Sequence, residues 1–410
     1  MRKHTTTFDL WLVGIVLGLL GIGLAMVYSA SGIRTLDANE DPSFFLLQQS
    51  MWASVGLAAM VIFARTDYHR LRTFALPLLV LSILLLVLVL VPGIGTRAGG
   101  AARWIRFGPV GLQPAEFTKL ALAIYLAFWL GARAKEVAAA RVGGSFAVLI
   151  AGIAALVVAE PDLGTAVVIG VLALGMYFVA GARVTEFGVI ALIATALTAF
   201  LAVIQPYRLQ RLLTFQDPWS DPRGAGFQTI QSLYALALGG PLGEGLGASR
   251  EKSGFLPAPY TDSIFAVLGE ELGLWGTLLV VLLFFGLAFR GIRIALRAAD
   301  REGALLATGI TVWLAFQAWV NMAVVANLVP MTGITLPFIS YGGSSLLVGL
   351  VGVGILLSIG HRGTAARVSG ASGRRRDGRS RQPAARGGGG AGGSRRPTTA
   401  VRGWSPRPRG

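Results

Sequence analysis

Any chemistry in this chain is done without cysteine, which excludes a thiolate nucleophile, a disulfide framework and a zinc–thiolate site. The only histidines are His4, His69 and His361. Carboxylates are therefore the main candidates for a general base, and a few stand out by position. Asp262 lies in Pro257-Ala258-Pro259-Tyr260-Thr261-Asp262-Ser263, which opens directly onto an apolar run. Asp, Ser and Thr all favour a helix N-cap, so spacing alone reads Asp262 as a cap. A carboxylate at a membrane edge can cap and also face a substrate. Glu116 and Lys119 are three apart, share one helix face and can pair. Glu160-Pro161-Asp162 interrupts an apolar stretch with barely a turn, and Glu270 and Glu271 follow Asp262 by two helical turns.

The basic residues suggest what such carboxylates could act on. Arg103-Trp104-Ile105-Arg106 precedes one apolar run, and Arg208 and Arg211 follow another. The planar guanidinium makes paired hydrogen bonds to a diphosphate, so a lipid-linked diphosphate suits these four; phospholipid headgroups would engage them equally. By contrast, Asp217-Pro218-Trp219-Ser220-Asp221-Pro222 is a turn by composition. Asp37, Glu40 and Asp41 read as solvated loop residues.

The elements that must position these residues are apolar helices. Of 410 residues 54% are hydrophobic and 14% charged, whereas a soluble domain carries about a quarter charged residues. A bilayer core takes roughly 20 apolar residues per helix. The uncharged runs predict an all-α polytopic membrane protein with ten transmembrane helices, near 10–29, 46–64, 73–92, 112–131, 143–159, 163–181, 187–205, 264–289, 304–326 and 338–360. The first is too long for a signal-peptide core of roughly 7–15 residues and reads as an uncleaved helix. Residues 303–361 carry no formal charge and divide at Asn327-Leu328-Val329-Pro330-Met331-Thr332-Gly333.

Basic residues in loops orient the chain. With the N-terminus inside, the cytoplasmic side holds 13 before the tail is added and the short outside loops hold four, Arg34, Arg97, Arg103 and Arg106. Both termini are then cytoplasmic, all three histidines are inside, and residues 206–263 form one large extracytoplasmic loop between helices seven and eight. Glu116, Lys119, Glu270 and Glu271 fall within spans, where charged side chains face a cavity or a partner. The membrane domain occupies 1–361. Residues 362–410 contain 13 arginines against one acid, Asp377, so most of the net charge of +16 belongs to a tail that should be disordered. Weak attraction to anionic lipid suits that tail, and no nucleic-acid partner is expected.

Six strings, in order, then become recognisable. They are Ala102-Arg103-Trp104-Ile105 through Gln113-Pro114-Ala115-Glu116-Phe117-Thr118-Lys119-Leu120, Glu160-Pro161-Asp162-Leu163-Gly164-Thr165, GFQTIQSLYAL at 226–236, GLGASREK at 245–252, Thr261-Asp262 with Gly269-Glu270-Glu271-Leu272-Gly273, and TLPFISYGGSS at 335–345. Together they resemble the SEDS family, which contains FtsW, RodA and SpoVE, and the wordings GASREKSGF at 247–255 and GITLPFISYGG at 333–343 are most similar to the FtsW branch, with SpoVE near it. The resemblance covers residues 8–361. It implies a peptidoglycan glycosyltransferase that polymerises lipid II at the outer face of the bacterial cytoplasmic membrane. It also implies a class B penicillin-binding protein as transpeptidase partner, with other divisome proteins around it. Two departures limit what carries over: Tyr260 stands where many relatives have His, and Pro330-Met331-Thr332-Gly333 lacks a lysine found in some relatives.

On that resemblance Asp262 is the expected general base in an inverting transfer with polyprenyl diphosphate leaving. Arg103, Arg106, Arg208, Arg211 and Lys252 are the expected substrate-binding cations. Glu116, Lys119, Glu160, Asp162, Glu270, Ser340 and Tyr341 are expected to shape the cavity. A divalent cation such as Mg²⁺ could bridge the diphosphate, but no ligand cluster in the sequence specifies one. A lipid II flippase would share the spans, the intramembrane charges and the arginines, yet needs no general base. A scaffold, or the elongation or sporulation paralogue, are the other readings.

Overall fold

The computed structural model describes residues 8–37, 43–98, 101–108, 110–252 and 254–377; His4, Glu40, Asp41 and the tail beyond Asp377 lie outside the described residues. The chain divides into two units, Met1–Arg367 and Val368–Gly410, and the described part of the second, 368–377, is helical. In hydrocarbon a helix satisfies its own backbone groups, and each long apolar run becomes one. In order they are α1 (Leu10–Asp37), α2 (Phe44–Arg65), α3 (Leu71–Leu90), α4 (Pro114–Ala132), the short α5 (Ala134–Ala138), α6 (Gly143–Ala159), α7 (Leu163–Val179), α8 (Val184–Ile204), α9 (Pro206–Gln216), α10 (Phe227–Gly239), α11 (Ile264–Arg297), α12 (Arg301–Val325) and α13 (Gly343–Asp377).

Among the described residues eight helices are long and apolar enough to cross a membrane: α1 to α4, α8 and α11 to α13. The apolar helices α6 and α7 have 17 residues each, about 26 Å at the α-helical rise. That is a little less than the roughly 30 Å hydrocarbon core.

Four expectations need correction. The chain is not all-α: β1 (Gly95–Ala98), β2 (Ala101–Phe107) and β3 (Val110–Leu112) form an antiparallel sheet in the order β1-β2-β3. Its alternation is short, and Arg103-Trp104-Ile105-Arg106 reads as an interfacial loop until Ile105 is seen buried between exposed or half-buried neighbours. Helix α1 runs on to Asp37, through the loop expected after residue 29. The tenth run starts five residues late, because 338–342 is a turn and α13 begins at Gly343. Finally α13 continues to Asp377, into the expected tail. The alanines and arginines there are good helix formers, and extending an existing helix needs no new nucleus.

The core lies where α12 packs on α11, α7 and α4, around Trp313, Leu122, Leu126 and Leu306. Peripheral α8 has no buried residue. Two glycines matter for the site. A methyl group at Gly23 in α1 would collide with the backbone of Phe338 and Ile339, so glycine lets the 338–342 turn lie directly on α1. At Gly273 (φ 66°, ψ −161°) α11 breaks. The 239–245 segment lies along that break: Glu244 N and Gly245 N donate to Glu270 O and Glu271 O (2.9 and 3.1 Å), and Leu274 N donates to Gly240 O (2.9 Å). The carbonyls and N–H freed by the break are thereby paired.

Candidate active site

Asp262 stands two residues before α11, and it is not the helix cap; Ser263 occupies that position, without a capping side-chain bond. Its half-buried carboxylate accepts from Thr261 Oγ1 (3.0 Å) and from Gln228 Nε2 in α10 (3.4 Å). Burial pushes the carboxyl above its ordinary value. Those two hydrogen bonds and the charge of Arg211 act in the opposite direction without cancelling it.

The backbone beneath Asp262 is held from two sides. Asn321 Nδ2 of α12 donates to Asp262 O (2.8 Å) and Ile334 O (2.7 Å). Ser340 Oγ donates to Thr261 O (2.6 Å), and Tyr341 N donates to Tyr260 O (2.9 Å). Gln49 of α2 fixes that turn in place, donating to Ser340 O (3.2 Å) and accepting from Gly342 N (3.3 Å). Tyr341 OH donates to Gln48, and the rings of Phe45, Tyr260 and Tyr341 form one aromatic cluster with centroids 4.8–5.8 Å apart.

A second group gathers at the α6–α7 turn. Asp162 caps α7, accepting from Thr165 N (3.0 Å) and Thr165 Oγ1 (2.9 Å). Arg103 of β2 donates to Glu160 O (3.1 Å) and Pro161 O, with its Nε 3.9 Å from Asp162 Oδ2. The Glu160 side chain is fully buried, and neither carboxyl oxygen has a partner among the described residues. Burial, reinforced by the Asp162 charge and opposed by Arg103, pushes its pKa up to about 8. Arg208 reaches the same region, donating to Val158 O (3.4 Å) and Leu201 O (3.2 Å).

The remaining expected residues separate. Lys119 pairs with Glu116 (2.7 Å) and donates to Gln317 Oε1 (2.6 Å), which also accepts from Trp313 Nε1 (2.8 Å). Gln317 Nε2 in turn donates to Thr335 O (3.0 Å), so this buried network leads into the 334–342 segment under Asp262. Glu270 accepts from Ser249 Oγ and from Arg250 N (2.7 Å) and holds the 249–251 loop. Lys252 is buried; its ammonium lies 2.6 Å from Glu271 and 2.8 Å from Ser29 Oγ, inside the protein. Arg211 donates to Met331 O (3.3 Å) and stacks over Tyr207 at 4.4 Å, while Arg106 is exposed on β2. Among the described residues no three His, Asp or Glu side chains are grouped to hold a metal ion.

Sequence reasoning missed Gln228, Asn321, Gln317, Gln49 and Ser29. A signal existed for two of them: Gln317 and Asn321 are the only amides in the apolar run 304–326, four apart and so on one helix face.

A carboxylate lifted by burial at the head of an apolar helix, with the charge of Arg211 acting on it, defines a polytopic membrane protein with a polar site let into its surface. The chain belongs to the FtsW/RodA/SpoVE family, described as "Cell cycle protein", which it matches over residues 10–364. It is 46% identical over 360 residues to stage V sporulation protein E of Bacillus subtilis, covering 88% of this chain and 98% of that one. It is 42% identical over 361 residues to the probable peptidoglycan glycosyltransferase FtsW of Geobacter metallireducens, covering 88% and 96%. Among solved structures it is similar to a chain from a study titled "Structural coordination of polymerization and crosslinking by a peptidoglycan synthase complex", with TM-score 0.72, 33% identity and coverage of 87% and 98%. It is also similar to the rod shape determining protein RodA of Thermus thermophilus, with TM-score 0.65, 29% identity and coverage of 87% and 97%.

Proposed function

We propose that this chain is a peptidoglycan glycosyltransferase polymerising lipid II at the outer face of the bacterial cytoplasmic membrane. The observation that carries the reading is Asp262, a half-buried carboxylate raised by desolvation and held by Gln228 and Thr261, on a backbone that Asn321 and Ser340 fix. In the proposed step the 4-hydroxyl oxygen of the acceptor sugar attacks the anomeric carbon of the donor. The new glycosidic bond forms as the bond from that carbon to the diphosphate oxygen breaks, with inversion. The hydroxyl proton passes to Asp262, and polyprenyl diphosphate departs with the bond's electron pair. It needs no separate acid, because a diphosphate is already a stable anion.

Arg103, Arg106, Arg208 and Arg211 are the proposed partners of that developing charge. Lys252, expected among them, is assigned instead to holding its loop, since its ammonium pairs with Glu271. Glu116, Lys119, Glu160, Asp162, Glu270, Ser340 and Tyr341 form the frame. We take the ten expected crossings, with both termini cytoplasmic and 206–263 outside, as the arrangement in which the reaction is extracytoplasmic; the excess of basic residues in the loops assigned to the inside supports it. The proposed partner is a single-pass class B penicillin-binding protein, in line with the peptidoglycan synthase complex among the similar structures. A role in division is proposed on the resemblance to the FtsW branch, and the family description "Cell cycle protein" supports it. The 46% identity to the sporulation protein makes the sporulation polymerase the second reading.

The test is glycan polymerisation from fluorescent lipid II by the purified chain with its class B partner in lipid. Polymer from wild type and none from folded Asp262→Asn is the expected result. Equal polymer from both removes Asp262 from the chemistry. Lipid II crossing the bilayer with no polymer from either makes the chain a flippase.

A further inference from the structure

Glu160 ends α6 at the turn into α7, fully buried, with neither carboxyl oxygen partnered among the described residues. Arg103 of β2 lies across that turn. Its Nε and Nη2 donate to the backbone carbonyls of Glu160 and Pro161, and its Nη1 makes no hydrogen bond among the described residues. The Arg103 side chain is 25% exposed, so the guanidinium keeps one open edge. Other charged groups reach this end of the helices at few points. Asp162 heads α7, Arg208 donates to Val158 O, and Arg211 donates to Met331 O, in the segment whose Thr332 and Ile334 pack on the first turn of α7. Helix α4 pairs its own charges, Glu116 with Lys119. The other helices packed on α6 and α7, namely α3, α8 and α12, carry Arg72, Glu186, Arg301 and Glu302 at their far ends.

The proton on Glu160 therefore decides what Arg103 is free to do. A neutral carboxyl makes no claim on the guanidinium, whose open edge is left to pair with a diphosphate. An ionised Glu160 would stand unpaired in the interior next to the anionic Asp162, and a buried charge demands a partner. Arg103 is the cation whose field already reaches it. We infer that Glu160 is a positioning residue that governs Arg103 through its own protonation: neutral, it leaves the guanidinium to the substrate diphosphate; ionised, with its proton gone to solvent, it draws the guanidinium inward and away from the substrate. The inference rests on the glycosyltransferase reading and deepens it. It gives the site an alkaline limit, opposite the acid limit that a carboxylate base imposes. Burial and the Asp162 charge, which push the Glu160 pKa up to about 8, bring that limit within an ordinary assay range.

The test uses the full chain with its class B partner in nanodiscs and lipid II as substrate. It reads kcat/KM, which follows the ionisation of the free enzyme, together with infrared absorption by protonated carboxyls. Wild type should lose about tenfold in kcat/KM between about pH 7 and about pH 9, as one group titrating near 8 requires, and Glu160→Gln less than twofold. The wild-type spectrum should hold a carboxyl band that disappears over the same range and is missing from Glu160→Gln. Asp162→Asn removes the neighbouring charge but keeps a capping side chain, and should move the loss of that band to lower pH. That readout needs no activity and serves even if Glu160→Gln fails to fold. An equal alkaline fall in wild type and Glu160→Gln, a band unmoved by Asp162→Asn, or a band that titrates while wild-type kcat/KM stays level would each overturn the switch, with wild-type polymer keeping the activity standing. No polymer from wild type at any pH would overturn the glycosyltransferase reading, and the switch with it.

Discussion

Lys252 Nζ stands 2.6 Å from Glu271 Oε1, both side chains are buried, and the Ser29 hydroxyl contacts the two of them. The pair ties the loop ahead of Asp262 to α11 and, through Ser29, to α1. Breaking a buried pair leaves an uncompensated charge and costs about 3–5 kcal/mol. Lys252→Ala should therefore lower thermal stability by that order, while the fraction that stays folded keeps its KM for lipid II within twofold. A large KM rise at unchanged stability would return Lys252 to the substrate.

On the proposed mechanism the raised carboxyl of Asp262 sets the acid side of the activity. The base works only when deprotonated, so the rate should climb with pH through a midpoint above the ordinary aspartate value near 3.8. The Gln228 hydrogen bond favours the charged form and lowers that midpoint. Gln228→Ala should move the acid limb of kcat/KM to higher pH, whereas a loss of packing alone would lower the rate uniformly across the profile.

Glu160 gives a stability prediction with a definite sign. Its folded pKa is raised to about 8 from 4.5, so between those values the folded chain keeps a proton that the unfolded chain has lost. Stability conferred at low pH is then progressively lost as pH rises through that window, and is constant above it. Glu160→Gln keeps the neutral shape without the titration. Thermal unfolding should find the variant level with wild type near pH 4 and increasingly more stable up to about pH 8. A constant offset at every pH would refute the protonated Glu160.

Gln317 links the Lys119–Glu116 pair and Trp313 to Thr335 O. Gln317→Leu strands the Trp313 N–H and one bond of the ammonium in the core, each worth about 1–3 kcal/mol. We expect a lower unfolding temperature together with a fall in kcat, because the 334–342 segment supports the backbone of Asp262. Loss of stability with full kcat would make the network structural only.

Much of this was legible from the chain. Charge-free runs mark the helices, since a bilayer tolerates little else, and Asp262 is conspicuous because it opens a run that must enter the membrane. The β1–β3 sheet was not legible, because strands of four, seven and three residues are too short for alternation to separate from an interfacial loop. Nor was the fate of Lys252: a cation in a polar loop reads as available until Glu271, 19 residues on, is found beside it. Gln228 sat inside a recognised string, but an amide has no charge to advertise its role. Its partner Asp262 lies 34 residues away, and only the packing of α10 against α11 brings them together.

The break at Gly273 makes α11 two rods meeting at a joint rather than one beam. The short rod, residues 264–272, is fastened to the preceding loop through Glu270, Glu271 and the paired backbone around the break. The long rod, 274–297, carries exposed apolar side chains such as Leu278, Leu282 and Phe285 to the lipid. A bilayer that thins or thickens tilts the helices embedded in it. Here Leu274 N and Trp275 N, at the start of the long rod, donate to Gly240 O and Pro241 O (2.9 and 3.4 Å), so the break is a splice held from both sides and the short rod, with Asp262 at its head, shares its anchor with the rod that faces lipid.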